Sequence, residues 1–262
     1  MTRQNESLQI LLVQAELRWR DPAANRDHLQ QLISSCAQDS DICVLPETFT
    51  TGFLGDQPSS EEGMDGATVE WMSHWAAEFN TVITGSAVII SSQGRRNRLL
   101  WVEPDGRVRF YDKRHLFAFG GENERYVAGR ERVVWSYRGW RFCPQICYDI
   151  RFPVWCRNQD DYDVMLVVAN WPTPRVDAWS SLLKARAIEN QCYLIAVNRV
   201  GEDGKGIHYP GHSVVHDGFG AELLKLEDSE RTESTCLSGT ALDDWREQFP
   251  FQKDADSFTI DY

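Results

Sequence analysis

Short segments that are apolar almost throughout recur along this 262-residue chain, and they constrain its fold more than any other feature. Such segments are typical of β-strands whose two faces are both covered. We predict strands over Leu8–Val13, Asp41–Leu45, Thr81–Ile90, Leu99–Glu103, Arg107–Tyr111, Arg141–Tyr148, Asp163–Ala169 and Cys192–Asn198. Sheets built from such strands need further layers packed against them.

Three stretches between the strands show helical periodicity. The apolar residues at helical spacing are Leu29, Leu32, Ile33 and Cys36, then Val69, Met72, Ala76 and Phe79, and finally Leu182, Leu183 and Ile188. Helices therefore alternate with strands early in the chain and again after Cys147, while hairpins fill the middle. The EPDG segment, Glu103–Gly106, is a turn signal between two predicted strands. This pattern predicts an α/β fold in which helices cover the faces of the sheets.

The sequence contains no repeat, no low-complexity segment and no Gly/Ser-rich linker. Its length is compatible with one large domain, and we predict a single domain over residues 1–262. The closing stretch, Glu222–Tyr262, is rich in Asp and Glu, so we expect an acidic C-terminal extension from about residue 242.

The formal net charge of −12 limits the partners of the chain. An acidic surface repels nucleic acid and anionic lipid, so neither is an expected partner, although a local cationic pocket can still bind a small anion. The cysteine count of seven is odd, and the first residues lack the features of a signal peptide, which together predict reduced thiols and a cytoplasmic location. No stretch reaches the roughly 18 apolar residues of a membrane helix.

Cys147 lies where a predicted strand ends, in the segment RFCPQICYDIRFPVW, and a turn and short helix are expected to follow it. A cysteine at such a junction faces a helix N-terminus, whose dipole favours a thiolate. The alternative is a buried cysteine that acts only as a small apolar side chain.

Glu47 and Lys113 also follow predicted strands, in DICVLPETF and RFYDKRHLF. A carboxylate beside a buried strand has a raised pKa if it is unpaired, which suits a general base, and a lysine can stabilise an oxyanion. Taken singly, Glu47 could equally cap a turn and Lys113 could be a surface lysine. Three strand ends that carry Glu, Lys and Cys form a much stronger signal together.

The segments LPETF, YDKRHLF and ICYDIRFP resemble the three signature blocks of the nitrilase superfamily of carbon–nitrogen hydrolases. DDYDV, VANWP and KARAIENQ extend the similarity, which is strongest to bacterial omega-amidases. The resemblance implies a four-layer αββα sandwich, a homodimer, and no metal or organic cofactor.

The resemblance also implies residue roles. Cys147 would attack the amide carbon and form a thioester, while Glu47 would activate first the thiol and later a water. Lys113 and the backbone N–H of Tyr148 would hold the oxyanion. Division of the reaction through a thioester replaces one hard step with two easier ones.

A second glutamate belongs to the superfamily pattern. Glu122 in the Gly-Gly-Glu loop is the expected counterpart, and Glu124 is its rival.

An omega-amidase acts on amides of short dicarboxylic 2-oxo acids, such as 2-oxoglutaramate, so the substrate carboxylate requires a cation. Arg151 is the first candidate because a guanidinium binds a carboxylate through two parallel hydrogen bonds, and Arg175 is the second. Arg151 could instead pair with Asp149. Trp171 and Phe117 could wall the pocket, or they could simply be core residues.

The sequence is also compatible with two other functions. A nitrile hydrolase or an N-carbamoyl amino acid hydrolase would use the same three residues, and a non-catalytic binding protein could keep the same fold. A metal site is not expected at His208, His212 and His216, because Pro210 and Gly211 interrupt any helix that could present the three side chains together.

Overall fold

A computed structural model gives the fold of residues 7–56 and 62–260. The strands are β1 (Ser7–Gln14), β2 (Ile42–Val44), β3 (Val82–Ser91), β4 (Gly94–Val102), β5 (Val108–Asp112), β6 (Trp135–Tyr137), β7 (Trp140–Ile146), β8 (Val164–Ala169), β9 (Tyr193–Asn198), β10 (Val200–Glu202), β11 (His208–Pro210), β12 (Val214–His216), β13 (Glu222–Lys225) and β14 (Arg231–Ser238). The helices are α1 (Pro22–Ile33), α2 (Ala67–Phe79), α3 (Pro153–Cys156), α4 (Val176–Asn190) and α5 (Gly239–Gln248).

The strands form two six-stranded sheets and a separate hairpin of β10 and β11. The first sheet has the order β14-β1-β2-β3-β4-β5, and β1, β2 and β3 are parallel. The second has the order β13-β12-β9-β8-β7-β6, and β7, β8 and β9 are parallel. Each sheet therefore has a parallel centre, and its remaining strands pair antiparallel to their neighbours.

The apolar strands are buried on both faces because each face packs on a different layer. In β1, Leu8, Ile10 and Leu12 belong to the core between the two sheets, whereas Leu11 and Val13 belong to the core on the outer side. This division follows the two-residue period of a strand. Residues from the second sheet, such as Phe142, fill the other side of the inner core.

Helices cover both outer faces. Leu29 of α1 and Met72 of α2 pack against the outer face of the first sheet, and Trp179 and Leu183 of α4 pack against the second. The layers are therefore helix, sheet, sheet and helix, which confirms the expected αββα sandwich.

The eight predicted strands and three predicted helices are all present, with shifted ends. One helical assignment was wrong in detail, since Cys36 lies beyond the end of α1. Ile188 lies in α4 as predicted, although its side chain is exposed. The EPDG turn closes between β4 and β5, where the N–H of Gly106 donates to the carbonyl of Glu103 at 3.0 Å.

The acid-rich closing stretch contributes β13, β14 and α5 to the fold. Its strand β14 pairs with β1, and Leu242 of α5 is buried in the inner core. The expected single domain with an extension from about residue 242 stays a prediction. None of the helices in the described ranges has both the length and the apolar character needed to cross a membrane.

Candidate active site

The site forms where strand ends of the two sheets meet. Glu47 follows β2 and Lys113 follows β5, and these two strands run in the same direction within the first sheet. Cys147 and Asn170 follow the parallel strands β7 and β8 of the second sheet. The main-chain N–H of Asn170 donates to Glu47 Oε2 at 2.7 Å, and this hydrogen bond connects the two sheets. The carboxyl ends of strands are where α/β folds place their ligands.

A buried ion network lies at the centre of the site. Lys113 Nζ is 2.8 Å from Glu47 Oε1 and 3.0 Å from Glu122 Oε2, and all three side chains are at most 1% exposed. Burial alone lowers the pKa of Lys113, but the carboxylates of Glu122 and Glu47 outweigh it and raise the pKa well above its usual range. Lys113 is therefore a permanent cation here and cannot serve as a base.

Two asparagines that the sequence analysis did not single out hold the carboxylates. Asn97 Nδ2 donates to Glu47 Oε1 at 2.8 Å and to Glu122 Oε1 at 3.0 Å. Asn170 Nδ2 donates to the carbonyl of Glu47 at 2.9 Å and to Thr48 Oγ1 at 2.9 Å. The Glu47 carboxylate is thus fixed by partners from both sheets, so it is not an unpaired carboxylate.

Cys147 occupies a strained turn between β7 and a five-residue 3-10 helix, Cys147–Arg151. Its φ of 45° lies in the left-handed region, which costs a non-glycine residue about 1–2 kcal/mol. The buried carboxylate of Asp149 stabilises this turn, because it accepts the N–H of Ile146 at 3.0 Å and the N–H of His115 at 2.9 Å. Asp149 thereby ties the Cys147 turn to the loop after Lys113.

The resting thiol is harder to ionise than the sequence suggested. Burial, followed by the charge of Glu47, raises the pKa of Cys147 well above its usual range, and Lys113 only partly opposes this shift. The helix that follows is only a five-residue 3-10 segment. This shift favours the neutral thiol over the thiolate that a helix N-terminus alone would favour.

A cavity of about 580 Å³ opens above Cys147 and Lys113. All five residues that the sequence analysis proposed for substrate binding line it, namely Phe117, Tyr148, Arg151, Trp171 and Arg175. Phe53 and Tyr209 line it as well, and no motif in the sequence pointed to either. The volume suits a small organic ligand.

Both candidate arginines stack on aromatic rings. The Arg151 guanidinium lies 4.8 Å from the Trp171 ring centre, and that of Arg175 lies 5.2 Å from the Phe117 ring centre. Within residues 7–56 and 62–260, neither arginine forms a salt bridge with a carboxylate. The alternative partner of Arg151, Asp149, is instead occupied by His115, Tyr111 and the N–H of Ile146.

The two candidates for the second glutamate, Glu122 and Glu124, lie in different environments. Glu122 bonds to Lys113 inside the protein, whereas Glu124 is exposed and lines the cavity mouth. At the same mouth, Lys205 pairs with Asp56 at 3.1 Å.

The three spaced histidines have unrelated partners. His208 contacts Thr173, His212 contacts Asp228, and His216 lies in β12. No helix runs through this segment, because β11, a turn and β12 occupy it. Glu227 lies near His212 and Asp228, but that group is largely exposed.

A family model described as carbon-nitrogen hydrolase matches residues 10–248. The chain belongs to this family. The match spans both sheets and every residue of the ion network, and it confirms the resemblance to the nitrilase superfamily that the three sequence blocks indicated.

Known relatives of this carbon–nitrogen hydrolase agree with the assignment. The omega-amidase YafV of Yersinia enterocolitica is 44% identical over 97% of this chain and 99% of its own length. The 2-oxoglutaramate amidase of Bacillus subtilis is 32% identical over 82% of this chain and 85% of its own length.

A solved structure agrees closely with the fold. The crystal structure of a CN-hydrolase superfamily protein from Xanthomonas campestris, which carries an arsenic adduct in its active site, matches with a TM-score of 0.96. It is 48% identical to this chain, and the match covers 98% of this chain and all of that one.

Proposed function

We propose that this amidase hydrolyses the terminal carboxamide of short dicarboxylic 2-oxo acid monoamides, such as 2-oxoglutaramate and 2-oxosuccinamate, through a thioester on Cys147. The observation that carries the proposal is that Cys147 lines the cavity together with Lys113, which belongs to the buried network with Glu47 and Glu122. The names of the relatives, an omega-amidase and a 2-oxoglutaramate amidase, support this substrate class.

The first half of the reaction forms the acyl-enzyme. Cys147 Sγ attacks the amide carbon as Glu47 takes the thiol proton, so the step starts from a neutral thiol. The oxyanion accepts hydrogen bonds from Lys113 and the backbone N–H of Tyr148. Glu47 then passes the proton to the amide nitrogen, the C–N bond breaks, and ammonia leaves the thioester.

The second half returns the enzyme to its starting state. Glu47 takes a proton from a water, the resulting hydroxide attacks the thioester carbon, and the C–S bond breaks. Sulfur recovers its proton and the product leaves as a carboxylic acid. Glu122 takes no proton in this scheme, because its role is to hold the Lys113 ammonium in place.

The cavity chemistry supports an anionic substrate. Arg151 ends the same 3-10 helix that begins at Cys147, so its distance from the nucleophile is fixed by a single short element. Its guanidinium lies over the Trp171 ring, 4.8 Å from the ring centre, and a guanidinium can bind a carboxylate through two parallel hydrogen bonds. Trp171 and Phe117 also provide apolar walls for the methylene groups of the substrate.

Mass spectrometry of the protein mixed with 2-oxoglutaramate tests the mechanism. We expect a substrate-derived acyl adduct on the Cys147 peptide and release of ammonia from 2-oxoglutaramate and succinamate. Turnover of nitriles or N-carbamoyl amino acids in place of these amides would favour the other hydrolase activities. Binding of the amides without any turnover would support a non-catalytic binding protein.

We expect Arg151→Met to raise the KM for 2-oxoglutaramate by about 10- to 100-fold, the effect of losing a charge-assisted hydrogen bond. The matching measurement is hydrolysis of a neutral amide of similar length, butyramide, which has no carboxylate to lose. Its kcat/KM should change by less than about threefold, since its carboxamide lies over the same intact network.

Arg175→Met is the matched control for this measurement. We expect a smaller loss, because Arg175 belongs to a different element from the nucleophile. A larger loss in Arg175→Met would assign the carboxylate to that arginine. Equal losses for the neutral and the anionic amide would show that Arg151 only supports the fold.

The expected homodimer stays a prediction.

A further inference from the structure

Asn97 of β4 is the one side chain that bonds to both glutamates besides Lys113, among the residues that the structure describes. Its two amide hydrogens go to Glu47 Oε1 and to Glu122 Oε1, at 2.8 and 3.0 Å. The main-chain carbonyl of Asn97 accepts the main-chain N–H of Lys113 at 2.9 Å. Asn97 is 1% exposed, so water does not replace these bonds.

A buried chain of hydrogen bonds fixes the orientation of the Asn97 amide. The hydroxyl of Ser86, on the neighbouring strand β3, donates to Asn97 Oδ1 at 2.9 Å. The same hydroxyl accepts the main-chain N–H of Thr48 at 2.8 Å. The Ser86 hydrogen must therefore point at Oδ1, and both hydrogens on Asn97 Nδ2 must point at the carboxylates.

This arrangement addresses the main electrostatic problem of the site. Two carboxylates share a single ammonium in a dry interior, and like charges this close repel strongly. Asn97 adds two neutral donors between them without adding a charge. It can therefore hold Glu47 in a fixed direction, whereas a second lysine would neutralise the base.

We propose that Asn97, oriented by Ser86, is a positioning residue that aims the Glu47 carboxylate at Cys147 and keeps it separate from Glu122. The Asn97 side-chain amide is fully used by its bonds to Glu47, Glu122 and Ser86, so it acts through Glu47 and not on the substrate. This inference rests on the proposed role of Glu47 as the base for Cys147.

Asn97→Leu removes the amide and keeps the volume of the side chain. We expect kcat to fall by about 10- to 100-fold, the usual range for removing a donor from a buried ionised acceptor, with KM within about threefold of wild type. Alkylation of Cys147 by iodoacetamide, followed on the Cys147 peptide by mass spectrometry, should slow by a similar factor. Ser86→Ala should cause a smaller loss in the same two measurements.

The control is Asn158→Leu, because Asn158 is an equally buried asparagine that donates to the carbonyls of Tyr162 and Asn190 away from the site. It should lower the Tm and leave kcat and the alkylation rate of the folded protein unchanged. If Asn97→Leu lowers only the Tm and leaves kcat and the alkylation rate unchanged, as expected for the control, the inference is wrong.

Glu47→Gln, run in parallel, separates this inference from the proposed function. If Glu47→Gln leaves the alkylation rate unchanged, Glu47 is not the base. The proposed catalytic role of Glu47 and the positioning role of Asn97 are then both wrong. If Glu47→Gln slows alkylation and Asn97→Leu does not, only the positioning role of Asn97 is wrong.

Discussion

Cys147→Ala should reduce amide hydrolysis by about 10⁴-fold or more and abolish the acyl adduct. Loss of a nucleophile removes the covalent route entirely, and comparable losses are typical when one member of a catalytic unit is deleted. The measurement is ammonia release at saturating 2-oxoglutaramate, together with the intact mass of the protein. Cys236→Ala is the matched control, because Cys236 is an exposed thiol outside the cavity and its loss should leave activity intact.

The backbone at Cys147 adds a second expectation. Since φ at this position is 45°, glycine adopts the conformation without strain and alanine does not. Cys147→Gly should therefore be more stable than Cys147→Ala by about 1 kcal/mol in chemical denaturation, although both are inactive. Ammonia release by Cys147→Ala at the wild-type rate would refute the covalent mechanism, whatever the two stabilities.

Lys113→Met should cost both activity and stability. The substitution removes an oxyanion donor, which typically costs about 10²–10³ in rate, and leaves Glu47 and Glu122 buried without a cation. Removal of one partner from a buried ion pair typically destabilises a protein by about 3–5 kcal/mol. The measurements are kcat/KM and the free energy of unfolding from a urea titration.

Lys205→Met provides the comparison. Lys205 pairs with Asp56 at the cavity mouth, where both side chains are well exposed, and such pairs contribute at most about 1 kcal/mol. A Lys113→Met protein as stable and as active as Lys205→Met would contradict the ion network as the centre of the site.

The sequence predicted the elements whose pattern is dictated by burial on two faces. Strands β1 to β5 and β7 to β9 carry apolar side chains toward two layers, and their segments were recognisable. Strand β14 was missed because its segment, RTESTCLS, is polar and mostly exposed, and only its pairing with β1 makes it a strand. The polar helix α5 was missed for a related reason, since few of its residues reach the core.

The residues of the site also divide into those that the sequence predicted and those that it did not. Glu47, Lys113 and Cys147 lie in recognisable blocks. Asn170 lies in VANWP, which extended the similarity without indicating a role for the asparagine, and Asn97 lies in none of these segments. Their roles depend on which strands become neighbours, and that is fixed only by tertiary structure. The raised pKa of Cys147 comes first from burial and then from Glu47, and the depth at which the thiol is buried is fixed only by tertiary structure.

The division of the site between two sheets has a consequence for biosynthesis. The carboxylate and ammonium belong to the N-terminal half of the chain and the thiol to the C-terminal half. The first strand, β1, obtains its outer neighbour only when β14 emerges from the ribosome. We therefore expect the nascent polypeptide to stay catalytically silent until β14 has been synthesised, so that no copy lacking this strand presents a competent nucleophile to cellular amides.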